Sequence, residues 1–393
     1  MWLRDRTQRV SVGGVPIGGG APVSIQSMTN TPTRDVQATL AQIHELVEAG
    51  CDLIRVAVPT KDDTAALGQI VRESPIPVIA DVHFHFRRAI EAVEAGAAKI
   101  RLNPGNISDR RHVLEVVEAC TRRNVPIRVG VNEASIVERR DSGARSTELK
   151  QLAGDYRRTM VDLMLRKLTD YVEIFRQACF DQLVLSVKSS DARLLIAACQ
   201  AVSERFDYPL HLGLTHAGPP ETGRIRSVAA LGALLSQGIG DTIRISYASH
   251  PIEEVLDAKE LLCSLGLRAR TEPELIACPT CGRIQVDLVD LVQRVRRKLA
   301  GIKVPIRVAV MGCVVNGPGE AEGADVALSA GNRQGIITVQ GRHVCTVAES
   351  EMLDALYAQC VEFAERVRSG QAELSEAVRY GASSADQSSP QPG

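Results

Sequence analysis

Lys99-Ile100-Arg101-Leu102-Asn103 and Ile127-Arg128-Val129-Gly130-Val131-Asn132 each alternate aliphatic with polar side chains at period two. In a strand that period sends the two sets to opposite faces. Amphipathic stretches with helical spacing surround both segments: Arg87–Ala95 before them and Asp109–Arg123 between them. Moving outward, six more β-rich runs follow the same alternation with helices: Val23–Met28, Leu53–Val58, Pro77–Val82, Leu183–Lys188, Leu210–Thr215 and Thr242–Ser246. Helical spacing recurs over Val36–Ala49, Asp191–Phe206 and Ile225–Gln237, and Gly50, Gly96 and Gly238 stand where helices end. Eight βα units within roughly 250 residues is the count and size of a TIM (β/α)8 barrel. A doubly wound sheet is the fallback.

The stretch 133–175 is longer than the other connections and rich in charge, which predicts an extra helical excursion after the fifth strand. The apolar pattern breaks at Leu265–Ala277, read as a linker into a smaller α+β domain. That domain is expected to hold a turn at Cys278–Gly282, a helix over Val286–Ala300 and a strand at Ile306–Met311. A Gly-rich loop to Gly323, strands near Val326–Ser329 and Gly335–Val339, and a helix over Glu349–Arg368 complete it. The expected organisation is a barrel over 1–265, an α+β domain over 266–370, and a disordered, Ser-, Gln- and Pro-bearing tail over 371–393.

Composition agrees with an α/β chain. Of 393 residues 45% are hydrophobic but only 3% aromatic, so the core is aliphatic and an all-β sandwich is disfavoured. The formal net charge of −1 gives no global attraction to nucleic acid or an anionic membrane, and no stretch reaches the about 18 apolar residues of a membrane span. The first thirty residues lack the apolar core of a secretion signal, which predicts a cytoplasmic protein. Ten cysteines in a reducing compartment are not a disulfide framework. Cys51, Cys120, Cys179, Cys199, Cys263 and Cys360 sit among aliphatic residues and read as core filler.

Polar residues in a parallel barrel strand need explanation, because both faces are buried. Arg55, Arg101, Arg128, Lys188 and Arg244 bring five cations to the barrel's C-terminal mouth, against Asp81 as the one carboxylate within the eight runs. Paired structural charges are the plain alternative for any one of them, but as a set they do not neutralise each other. A ligand of about diphosphate size does, since guanidinium forks match phosphate oxygens. Asp81, His83, His211 and Asn132 then orient hydroxyls or supply protons, with Asn103, Ser186 and Ser246 on the same strand parity.

Cys278-Pro-Thr-Cys281-Gly-Arg is a CxxC turn, and Met311-Gly-Cys313-Val-Val-Asn-Gly-Pro-Gly-Glu320 adds a third cysteine in a loop after a strand. The second CxxC of a structural zinc ribbon is missing. Cys345 could be a fourth ligand, although Val344 and Val347 place it in a β-like run. Three thiolates with one weaker ligand suit a reactive [4Fe–4S] cluster, for which Glu320 is the candidate; a zinc site, and a solvated Glu320, remain open on spacing alone.

These motifs, with Ser24-Ile-Gln-Ser-Met-Thr-Asn-Thr31, Asp81-Val-His-Phe84, Arg101-Leu-Asn-Pro-Gly-Asn-Ile107, His211-Leu-Gly-Leu-Thr215 and Gly238-Ile-Gly-Asp-Thr-Ile-Arg-Ile-Ser246, resemble the bacterial 4-hydroxy-3-methylbut-2-enyl diphosphate synthases over nearly the whole chain. The resemblance implies a flavodoxin- or ferredoxin-dependent oxidoreductase of the methylerythritol phosphate route. It also implies a [4Fe–4S] cluster held by Cys278, Cys281, Cys313 and Glu320, and a homodimer in which one subunit's cluster domain covers the other's barrel mouth. The implied substrate is 2-C-methyl-D-erythritol 2,4-cyclodiphosphate, whose diphosphate meets the five cations. Where that family usually has a glutamate acting on a substrate hydroxyl, this chain has His216, and Glu221 is close enough along the loop to stand in. The rival enzyme is a zinc-dependent barrel lyase or aldolase acting on a sugar phosphate. An electron-transfer or nucleic-acid module lacks support, for no basic stripe with interleaved aromatics is present.

Overall fold

The computed structural model describes residues 3–82, 85–102, 109–133, 136, 156–314, 319 and 321–375. Two compact units divide between Leu265 and Gly266. The first begins with an antiparallel hairpin, β1 (Val10–Val12) and β2 (Val15–Ile17). Eight parallel strands then alternate with helices: β3 (Ser24–Met28), α1 (Val36–Ala49), β4 (Leu53–Ala57), α2 (Lys61–Glu73), β5 (Val78–Val82), α3 (Phe86–Glu94), β6 (Lys99–Leu102) and α4 (Arg110–Arg123). The series continues with β7 (Ile127–Asn132), α5 (Tyr156–Gln177), β8 (Leu183–Lys188), α6 (Ala192–Arg205), β9 (His211–Leu212), α7 (Pro220–Leu235), β10 (Thr242–Ile243) and α8 (Pro251–Ser264). The sheet order is β8-β7-β6-β5-β4-β3-β10-β9, and a parallel bridge from Leu185 to Leu210, with the Leu185 N–H on the Pro209 carbonyl at 2.8 Å, joins the two ends. The ring closes as a (β/α)8 barrel, and the doubly wound alternative is set aside.

α1 has the bounds its spacing predicts. Asp35 caps its first turn by accepting from the Ala38 N–H, and Gly50, at φ 107°, ends it in the left-handed region where a Cβ is costly. The last two barrel strands are shorter than expected. A Cβ at Gly213 would lie 2.7 Å from the Arg244 carbonyl, so the two backbones approach closely past β9, and the Ser246 hydroxyl takes over by donating to the Leu214 carbonyl at 3.2 Å. The hairpin was not expected. Val12 and Ile17 pack against Leu53 and Ile79 at the strands' N-terminal ends and plug the barrel floor. In the 133–175 stretch the described helix is α5, the crossover between β7 and β8; residues 137–155 lie outside the described residues.

The second unit holds a five-stranded sheet ordered β11 (Glu274–Ala277), β12 (Arg307–Met311), β13 (Val326–Gly331), β14 (Gln334–Val339), β15 (Arg342–Ala348), with α9 (Leu288–Leu299) and α10 (Met352–Arg368). β11, β12 and β13 are parallel and the rest antiparallel. The supposed linker therefore ends in a strand: Glu274–Ala277 pairs with Arg307–Val310, a long-range partnership that local pattern does not reveal. Val295, Leu299, Val308, Val310, Leu328, Ile337, Leu356 and Phe363 form its core. Cys345 lies on β15, partly buried against that core. The beginning of the tail is tied down, the Ser375 N–H donating to Asp325 at 2.7 Å, and residues 376–393 lie outside the described residues.

Cys51, Cys120, Cys199 and Cys360 are buried, and burial pushes the last three thiols up to about 12. Cys179 departs from the core-filler reading. It is exposed at φ 52° in the turn that ends α5, a place set by backbone geometry rather than by packing.

Candidate active site

Inside the barrel the charged residues form a chain of contacts across adjacent strands. Arg101 Nη1 lies 3.3 Å from Asp81 Oδ1, and Arg55 Nε lies 3.7 Å from Asp81 Oδ2. Arg244, just past β10, places Nη2 3.5 Å from Glu254 Oε2, while Glu254 Oε1 accepts the Tyr247 N–H at 3.0 Å. Asp81 is the acid supplied by a strand, and Glu254 adds a second from α8, a residue not singled out from the sequence. Its signal was present: Glu254, Ala258 and Leu261 share the buried helical stripe, where an acid is out of place.

Two acids do not balance the array, because Lys99 is a sixth cation within it. Lys99 and Arg128 are 0% and 1% exposed, and among the described residues neither Lys99 Nζ nor Arg128 Nε and Nη1 has a hydrogen-bond partner. Both ring nitrogens of His211 and the amide of Gln26 are likewise buried without one. Buried donors are normally satisfied, so this much unmet capacity marks a site made for a guest. Desolvation, then the neighbouring arginines, holds Lys99, Arg128 and Lys188 well below their ordinary basicity; burial lowers Arg55 to about 10 against the opposing pull of Asp81. The same causes keep His211 neutral. Its place differs from that expected: His211 opens β9 and is fully buried, whereas position along the run suggested a strand end. Arg128 is only second in β7, yet stagger between strands pairs it with Arg101, third in β6.

This electrostatic state has a measurable sign. A lysine whose folded pKa lies below its unfolded value binds more protons when unfolded, so stability rises with pH across that interval, toward about 10.4. Thermal midpoints of the ligand-free protein are expected to rise from about pH 7 to 9. Pyrophosphate, by drawing protons back onto Lys99 and Lys188, is expected to flatten or reverse the trend. A midpoint that falls equally with and without the anion contradicts the arrangement.

The remaining residues are placed unevenly. Asn132 and Lys188 are register partners across β7 and β8, as are Gly130 and Ser186. A Cβ on Gly130 would sit 2.6 Å from Ser186 Oγ, so glycine makes room for that hydroxyl. The Ser246 hydroxyl is committed to the Leu214 carbonyl. His216 is exposed at φ 53° between β9 and α7, with Nδ1 3.3 Å from the Thr215 hydroxyl; Glu221 is exposed in the first turn of α7. His83, Asn103 and Glu320 lie outside the described residues.

In the second unit, Ala277 and Val310 are register partners at the ends of parallel strands, so the Cys278 and Cys313 loops leave the sheet side by side. The Gly312 N–H donates to Cys278 Sγ at 3.2 Å, the Cys278 N–H reaches the Val310 carbonyl at 3.4 Å, and the Gln285 N–H reaches the Gly312 carbonyl at 3.0 Å. Cys278 is half-buried, Cys281 exposed and Cys313 buried. The Gly312 N–H at Cys278 Sγ is a donor of the kind that sulfur ligands of an iron–sulfur group accept, although Cys278, Cys281 and Cys313 do not gather into a metal-binding group among the described residues.

A (β/α)8 barrel with buried cations in its interior, joined in sequence to an α+β unit that carries Cys278, Cys281 and Cys313, is the build of a two-domain barrel enzyme. The family described as the GcpE TIM-barrel domain matches residues 7–259, and the GcpE protein C-terminal domain matches 274–362. The chain belongs to the GcpE family, whose members are iron–sulfur oxidoreductases. A relative from Salinispora tropica is 45% identical over 377 residues, covering 96% of this chain and 93% of its own length. One from Geobacter sulfurreducens is 44% identical over 91% of this chain and 98% of its own, and one from Symbiobacterium thermophilum 46% identical over 90% and 92%. All three are named 4-hydroxy-3-methylbut-2-en-1-yl diphosphate synthase (flavodoxin).

Proposed function

We propose that this chain forms 4-hydroxy-3-methylbut-2-enyl diphosphate by reductive ring opening and dehydroxylation of 2-C-methyl-D-erythritol 2,4-cyclodiphosphate, in isoprenoid precursor biosynthesis. The reaction balances with two electrons and two protons taken up and one water released. Family membership supports the activity, and the observation that carries the assignment of the site is the buried pair Lys99 and Arg128, whose Nζ, Nε and Nη1 have no hydrogen-bond partner among the described residues, with Lys188 within electrostatic reach of Arg128. A diphosphate supplies the missing negative charge, and Arg55, Arg101 and Arg244 hold its outer oxygens.

Cys278, Cys281 and Cys313, with Glu320 as the fourth ligand, would hold a [4Fe–4S] group, which would supply the two electrons received from a flavodoxin. The chain's own residues bind, orient and move protons. Neutral His211 donates or accepts a single hydrogen bond without adding charge, Asn132 and Ser186 orient the sugar hydroxyls, and Asp81 keeps Arg55 and Arg101 aligned. His83, His216 and Glu221 are the candidates for proton delivery, and Asn103 and Ser246 complete the substrate contacts. The working unit is a cytoplasmic homodimer. A zinc lyase is not favoured, since its metal chemistry is not that of the family.

Anaerobic turnover of the cyclic diphosphate with reduced flavodoxin tests the whole reading; absence of product from protein with full iron and sulfide content defeats it. Lys188→Ala is expected to raise KM about tenfold or more with iron content unchanged, the loss of one charge-assisted contact. An unchanged KM removes Lys188 from the phosphate site.

A further inference from the structure

At one junction of the cationic array two guanidiniums share an uncharged acceptor, although the Glu254 that pairs with Arg244 also acts on Arg55. Asp81 stands between Arg101 and Arg55, and Glu254 backs Arg244. Between Arg55 and Arg244 stands a sulfur. Met28, the last residue of β3 and register partner of Arg55, places Sδ 3.1 Å from Arg55 Nε, 2.9 Å from Arg55 Nη2 and 3.6 Å from Arg244 Nη1. One thioether thus accepts from two guanidiniums belonging to strands on either side of its own.

The choice of atom is informative. Two like charges brought together repel, and Arg244 is one of the neighbours that lower the basicity of Arg55. A carboxylate would hold the pair, as Asp81 holds Arg55 and Arg101, but it would cancel the charge and occupy the place of an incoming anion. An aliphatic side chain would leave the donors unmet. A thioether is a weak, uncharged acceptor, so it orients both groups while leaving their positive field intact.

We propose that Met28 is a positioning residue of the substrate site, its thioether setting the spacing of Arg55 and Arg244 for phosphate oxygens without neutralising them. This rests on the reading of the barrel interior as the diphosphate site. The role belongs to the acceptor atom and not to side-chain bulk, which separates it from ordinary packing.

The test is a KM-against-kcat comparison on the cluster-loaded enzyme with the cyclic diphosphate. Met28→Leu keeps the bulk and removes the acceptor; KM is expected to rise about tenfold, with kcat within about twofold and iron content unchanged. Met28→Gln restores an uncharged acceptor and is expected to return KM to within about threefold of the parent. A Met28→Leu enzyme with parental KM overturns the proposal, as does a Met28→Gln enzyme as impaired as Met28→Leu. If Met28→Leu does not accumulate as folded protein, Met28→Gln decides alone: near-parental KM supports the role and a rise of about tenfold overturns it. Arg244→Gln, measured alongside, keeps the two readings apart. If it raises KM while Met28→Leu does not, only the role of Met28 fails; if neither changes KM, the phosphate-site reading fails with it.

Discussion

Cys313→Ser is expected to abolish the brown iron–sulfur absorbance of anaerobically purified protein and to lower turnover by more than about 100-fold, beyond what losing an outer-shell partner of a metal costs. The argument is geometric as well as chemical. Cys313 leaves β12 beside the chain leaving β11, where the Gly312 N–H already serves Cys278 Sγ, so no neighbouring thiol can take its place without breaking that sheet edge. Cys345 is not a reserve ligand, because it belongs to β15 at the far edge of the sheet from β11. The barrel is a separate unit, and its thermal transition is expected to survive the substitution. Full iron content in Cys313→Ser removes it from the ligand set.

Arg128→Met is expected to push activity and stability in opposite directions. The guanidinium is 1% exposed, Nε and Nη1 are unpartnered, and its positive neighbours Arg55, Arg101 and Arg244 act against its charge. A flexible apolar side chain relieves that cost, so the ligand-free protein should gain about 1–3 kcal/mol in urea unfolding. The gain stands against function: kcat/KM for the cyclic diphosphate is expected to fall about ten- to hundredfold, the worth of one charge-assisted contact to phosphate. A structural arginine would lose on both counts. A substitution that destabilises the protein contradicts the view that this charge is held at the fold's expense for a ligand.

The barrel was legible because its signals are local. α1 follows directly from apolar spacing closed by Gly50, and the parity of Lys99, Arg101 and Arg128 exposed the polar interior. What escaped the sequence depends on distant partners. β11 becomes a strand only by pairing with β12, and β9 ends where Gly213 meets the backbone of Arg244. The hairpin was missed although its sign was there: Val10-Ser-Val12 and Val15-Pro-Ile17 flank Gly13-Gly14, a glycine pair suited to a tight turn. Glu254 is marked only by its place on a buried helical stripe, and the use of the Met28 sulfur as an acceptor shows only when donors stand around it.

The hairpin at the floor also fixes the traffic through this enzyme. With Val12 and Ile17 packed against Leu53 and Ile79, an apolar stopper closes the barrel at the N-terminal ends of these strands. The traffic of substrate and product therefore falls to the opposite end, where the mouth of such a barrel lies.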